Sequence, residues 1–301
     1  MSLLHSVQEE VLQRLGRVGI AARHAVEAIL SGQHRSINRG LSVEFAGHRP
    51  YQSGDDVRYL DWRVFARTDR YHIQYYQEET RLRATLVVDC SGSMAYGRRV
   101  RKLDYARQLA AALALIMVRQ GDAVGLALAD SKLRRHLPPG STMAHGLSLL
   151  SELETVPAGG HTSLGPALDD LAEHLTRRGL VIVISDGIDD PESLVRSLRH
   201  LRHRRQDVRF YQILDPAEKS FPFQGYYEFI GLEGGEQARI DTDRARGYYE
   251  RAFKAHSQAL AGGCHGAGIH FETITTDQDL ALVLAHSLIS LSAHQLRRGG
   301  A

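Results

Sequence analysis

The chain has 301 residues, 43% of them apolar and 24% charged, with a formal net charge of +2 at neutral pH. That length allows one large domain with an arm, or two domains. The near balance of charge gives no general pull toward nucleic acid or a membrane surface, and the two cysteines, Cys90 and Cys264, argue against a disulfide framework and fit a reducing cytoplasm.

The opening stretch MSLLHSVQEE carries acids where a signal peptide would need an apolar core, so export by that route is not expected. From Val7 to Leu30 the apolar positions Val7, Val11, Leu15, Val18, Ala22, Val26 and Ile29 recur at steps of four and three, one narrow helical seam. It fits a helix docked on its own domain or a seam for a partner helix. Residues 1–40 are expected to form this helical arm. Residues 41–82 hold short candidate strands, LSVEF, YLDWRVFAR and HIQYYQEE, too short for a core of their own.

From Arg83 the rhythm changes to strand and helix in alternation. Strands are expected at Ala84–Val88, Ala123–Ala129, Leu180–Ser185, Val208–Leu214 and Ile269–Ile274. Helices are expected at Leu103–Arg119, Met143–Glu154, Leu164–Arg177, Glu192–Arg204 and Asp243–Ala261. The run Leu109 to Val118 is too short to cross a bilayer, so it belongs to a buried helix and no integral membrane segment is expected. The alternation predicts an α/β domain over 83–296: a doubly wound, mostly parallel, Rossmann-like sheet covered by helices on both faces. Tyr226 to Ile240 interrupts it with two short strands around a Gly-Gly turn, an inserted hairpin. TTDQDLALVLAHSLISLSAHQLRRGG closes the chain as a capped amphipathic helix with a basic tail.

The stretch LVVDCSGSM drives an apolar strand into Asp89, Ser91 and Ser93. A strand without polar alternation lies inside a parallel sheet, and its exit is the carboxyl edge where such folds bind ligands. Three oxygen-bearing side chains there suit a hard cation, magnesium or manganese, over zinc or copper. VIVISDG ends a second buried strand at Asp186, with Gly187 for a tight exit, and PAGGHTSLGPAL places Thr162 in a glycine-rich loop before a helix. Parallel strands end on one edge, so Asp89 and Asp186 are expected to approach each other, with Thr162 completing the group.

This order, Asp-x-Ser-x-Ser, then Thr, then Asp, resembles the metal-ion-dependent adhesion site of von Willebrand factor type A domains, and all five positions are present. The resemblance runs from about Arg83 to the last helix. It implies that Ser91, Ser93 and Thr162 ligate the ion through hydroxyls, while Asp89 and Asp186 hold it largely through water. Hydroxyl ligands neutralise none of the ion's charge, so the ion stays attractive to a further carboxylate. The expected site is a socket for an Asp or Glu of a protein partner.

A second resemblance starts ahead of the sheet. HRPYQSGDDVRYLDWRVFAR, followed by QEE and the strand into Asp89, resembles the signature of domain-of-unknown-function family fifty-eight. It continues through the Pro222 segment, the hairpin and HGAGIHFETITTDQDL. It implies partnership with a MoxR-type AAA+ ATPase in a chaperone-like role. Within the signature, Asp55, Asp56, Arg58, Asp61, Arg63 and Arg67 interleave opposite charges around Trp62, the chain's only tryptophan. They are candidates for an ion-paired clasp or for a partner-binding surface.

Other candidates carry less. VRSLRHLRHRR turns Leu198 and Leu201 inward and a basic face, with His200 and His203, to solvent. Cys90 is expected to be a small buried filler, and Cys264-His265 lacks the further ligands of a zinc site. One rival function is a magnesium-dependent hydrolase with Asp89 as nucleophile, but no Asp-x-Asp pair or general acid accompanies it. A nucleotide-binding protein would need a glycine-rich phosphate loop, and none is written here.

Overall fold

The computed structural model describes residues 48–51, 60–74 and 82–298. The helical seam, LSVEF and the signature residues Asp55, Asp56 and Arg58 lie outside the described residues. The described residues fall in two compact units, one within residues 30–81 and one from Leu82 onward.

In the smaller unit β1 (His48–Pro50) pairs antiparallel with β2 (His72–Gln74), with Arg49 opposite Ile73. Between them runs α1 (Trp62–Thr68), which corrects the strand expected across YLDWRVFAR. Asp61 Oδ1 accepts the Val64 N–H at 3.1 Å, and the Phe65 N–H reaches the Asp61 carbonyl at 3.0 Å. Those bonds open a helical turn, and they outweigh the strand preference of Trp, Val and Phe. Phe65 stacks on Tyr71 with ring centroids 4.6 Å apart.

The larger unit follows the expected alternation. In chain order it comprises β3 (Arg83–Asp89), α2 (Lys102–Arg119), β4 (Ala123–Ala129), β5 (Leu133–Gly140) and α3 (Met143–Thr155). After these come α4 (Leu164–His174), β6 (Leu180–Ser185), α5 (Pro191–His203), β7 (Asp207–Leu214) and α6 (Pro216–Ser220). The hairpin strands β8 (Tyr226–Ile230) and β9 (Gln237–Asp241) precede α7 (Thr242–Gly266), β10 (His270–Thr275) and α8 (Leu280–Arg298). Helix α4 ends three residues before the expected Arg177. The chain there leaves for β6, with the Arg177 carbonyl held by the Gln206 amide at 2.8 Å.

The main sheet has the order β10-β7-β6-β3-β4-β5. Its neighbours are parallel except β4 and β5, which run antiparallel. Side chains alternate across each strand. Ala84, Leu86 and Val88 therefore face a core built with α2, α3 and α8, while Val87, Val181 and Val183 face α4, α5 and α7. This doubly wound arrangement is the von Willebrand factor type A-like fold. No helix among the described residues is long and apolar enough to cross a membrane.

Candidate metal site

The chain runs from β3 to β4 and β5 on one side, then returns to β6 on the other. The gap between the carboxyl ends of β3 and β6 is thus the switch point of the sheet, where open α/β folds form their ligand crevice. Val88 pairs with Ile184, which sets Asp89 beside Ser185 and Asp186 at that gap. Asp89 is 1% exposed; its Oδ1 accepts the Ser91 N–H at 2.9 Å and its Oδ2 the Ser185 hydroxyl at 2.6 Å. Burial, and then the charge of Asp186, push its carboxyl up to about 6.

The three expected hydroxyls come together. Ser91 Oγ lies 3.1 Å from Ser93 Oγ, which lies 3.0 Å from Thr162 Oγ1. The loop carrying Thr162 is tied to the β4 exit by Arg134, which donates to Asp130 at 2.7 Å, to the Pro157 carbonyl at 3.2 Å and to the Gly159 carbonyl. The Gly92 N–H also reaches the Gly160 carbonyl at 3.0 Å, binding the serine loop to the threonine loop.

Asp186 is fully buried, and its two oxygens take the Lys102 ammonium at 2.8 Å and the Ile188 N–H at 3.0 Å. Gly187 follows with φ 67°, where a Cβ would stand 2.7 Å from Leu260. Lys102 also meets Glu218 at 2.6 Å, a residue that closes the capping box of α6 with Asp215. Burial alone would lower the Lys102 pKa, but Asp186 and Glu218 outweigh it and hold the amine above its usual range, charged.

This donor set fits magnesium or manganese. It is all oxygen, and three of the five groups are uncharged hydroxyls. Both carboxylates already accept two protein hydrogen bonds each, which suits holding an ion through water over direct ligation. Among the described residues no three His, Cys, Asp or Glu side chains gather where they could hold a metal ion, so an ion here would depend on the hydroxyls.

Sequence reasoning missed Lys102, Ser185, Glu218 and Glu233. Ser185 was legible as the residue before Asp186 at the strand end. Lys102 stands in the basic run RRVRK with nothing local to single it out. Glu233 lies at the hairpin tip, where its Oε2 accepts the Thr162 N–H at 3.0 Å and its Oε1 meets the Thr162 hydroxyl. Its one sequence cue is an acid in a glycine-rich turn, GLEGGE. The cysteines are buried fillers: burial pushes the Cys90 thiol up to about 12 and the Cys264 thiol up to about 12. Of the signature residues, Asp61 is buried at the start of α1, Trp62 is 63% exposed and Arg67 is exposed. The Arg63 side chain lies outside the described residues. His200 is not merely solvated, since its Nδ1 pairs with Asp169 at 2.9 Å.

Residues 47–259 match the family described as "Protein of unknown function DUF58". The uncharacterized proteins Rv1480 of Mycobacterium tuberculosis and Mb1516 of Mycobacterium bovis are each 30% identical over 265 residues, covering 86% of this chain and 83% of theirs. Among solved structures, an aerotolerance-related membrane protein of Bacteroides fragilis aligns at 17% identity and TM-score 0.48, over 68% of this chain and 96% of that one. The conserved hypothetical protein BatB of Bacteroides thetaiotaomicron aligns at 17% identity and TM-score 0.46, over 72% and 99%.

Proposed function

We propose that this chain, which belongs to the DUF58 family, is a non-catalytic protein-binding module whose switch-point site holds magnesium or manganese. The carrying observation is the run of Ser91, Ser93 and Thr162 hydroxyls, 3.1 and 3.0 Å apart, in front of two buried carboxylates. Bound there, the ion would supply an electrophilic position for a carboxylate. Ser91, Ser93 and Thr162 would hold it directly, and Asp89 and Asp186 would orient its waters. A binding role is supported by how Asp89 is placed: it is 1% exposed, with the Ser91 N–H on one oxygen and the Ser185 hydroxyl on the other. The signature resemblance supports a MoxR-type AAA+ ATPase as the partner that presents the Asp or Glu. Two buried thiols, neither in a disulfide, support a reducing cytoplasm.

The test is calorimetry with Mn2+ on wild type and on Ser91→Ala/Ser93→Ala, with circular dichroism to check folding, followed by titration of the ATPase with and without chelator. We expect the double variant to fold, to lose the Mn2+ site and to bind the ATPase more weakly by about 2–5 kcal/mol, the cost of losing a buried charge contact. Chelator should mimic the substitutions. Equal Mn2+ binding by wild type and double variant would overturn the site. Equal ATPase binding by a folded double variant that has lost the metal would move recognition to the Asp55–Arg67 segment or to the expected N-terminal helix.

A further inference from the structure

The socket described above is expected to take a carboxylate from outside, yet the structure sets one of the chain's own against it. The β8–β9 hairpin reaches over the switch point, and its tip lies on the serine loop. The Leu232 carbonyl and Glu233 Cγ stand 2.8 and 2.9 Å from where a Cβ on Gly92 would be, so only glycine allows that approach. Glu233 then reaches Thr162 with both oxygens, one on its N–H at 3.0 Å and one on its hydroxyl. His161 Nδ1 lies 3.9 Å from Oε2. Beneath the tip lies a cleft of about 520 Å³ lined by Ser93, Tyr96, Lys102 and Ile188 together with the tip itself.

The hairpin is built to hold this pose from its far end. Arg246 clamps the Phe221 and Phe223 carbonyls at 2.7 Å each, and Phe221 stacks on Tyr249 with centroids 4.4 Å apart. The tip itself is exposed and carries three glycines, Gly231, Gly234 and Gly235, the last at φ 69°. Such a turn is anchored at its base and free to change at its end. Leu232 and Ile230 remain 51% and 58% exposed there, so little apolar burial holds the tip down. Besides the close packing on Gly92, the tip is held by the hydrogen bonds from Thr162 to Glu233.

We propose that Glu233 is the site's own carboxylate ligand, so that a partner's Asp or Glu must displace it. The inference rests on the metal-binding reading of Ser91, Ser93 and Thr162. It assigns the inserted hairpin as the competitor that sets how strong a carboxylate the partner must present. Glu236, on the same tip, serves as control: its side chain is exposed, whereas the hydrogen bonds made by Thr162 go to Glu233 and Ser93.

The experiment uses the full chain and Mn2+ alone, read by calorimetry and by the relaxation of water protons, in wild type, Glu233→Ala and Glu236→Ala. Glu233→Ala should show Mn2+ affinity lower by about ten- to a hundredfold, the loss typical of removing a group that supports a metal centre. Its bound ion should relax water more strongly, because water takes the vacated ligand position. Sodium acetate should restore affinity to Glu233→Ala and leave wild type unchanged, and Glu236→Ala should behave as wild type. Equal affinity and equal relaxation in Glu233→Ala and wild type would overturn the assignment while leaving the metal site standing. Mn2+ binding absent from wild type itself would overturn both.

Discussion

A buried ammonium persists only where carboxylates stand against it, and Lys102 has Asp186 at 2.8 Å and Glu218 at 2.6 Å. Those partners lie 84 and 116 residues away in the chain, which is why no local pattern announced the lysine. The oxygen donors were legible for the opposite reason. Asp89 ends one apolar strand with Ser91 and Ser93 in the four positions after it, and Asp186 directly follows another of the same kind. Lys102→Met would keep the volume and remove the charge, leaving two carboxylates uncompensated in the interior. It should destabilise the fold by about 3–5 kcal/mol, as breaking a buried pair does. Adding Glu218→Gln should recover part of that loss, because one of the stranded charges is then gone. Urea titration of the single and double variants measures both, and an unchanged midpoint in Lys102→Met would mean that water reaches the pair and screens it.

Strands β3, β4, β6 and β7 were written as apolar runs bounded by charge or glycine, and their observed limits lie within a residue of those runs. Strand β5 was not legible. Its sequence LRRHLPPG has neither alternation nor an apolar run, and its two prolines fit only an edge strand with shifted register. At α1 the order reversed, since Asp61 supplied a helix start that Trp, Val and Phe obscured. The turn from β6 into α5 shows what a single glycine does for the site. Gly187 must adopt φ 67° for Asp186 to face Lys102 while the chain passes under Leu260, 2.7 Å from a would-be Cβ. Gly187→Ala should therefore cost about 1–3 kcal/mol of backbone strain, with the steric clash adding to it. Thermal unfolding should show a lowered midpoint. A midpoint equal to wild type would mean that the turn relaxes, and Mn2+ affinity would then report whether Asp186 has moved with it.

At the scale of the whole molecule, stability and site occupy different parts of the same sheet. One core lies between the sheet and α2, α3 and α8, the other between the sheet and α4, α5 and α7. The site sits on neither face but at the strand ends, so its hydroxyls carry little of the packing. Leu113 and Leu168 are both fully buried, one in each core. Leu113→Ala or Leu168→Ala should each cost about 2–5 kcal/mol, the transfer loss plus the cavity left behind. Because a sheet separates the two leucines and they share no cluster, the double variant should lose the sum of the two within roughly 0.5 kcal/mol. Ser93→Ala, which removes one partly buried hydroxyl, should stay near the wild-type midpoint while losing Mn2+. Urea unfolding of the four variants, with m-values compared, decides the matter. A double variant much less destabilised than the sum would show that the two layers relax together through the sheet. In that case a change of packing on either face would reach Asp89 and Asp186, and the site would respond to the core beneath it.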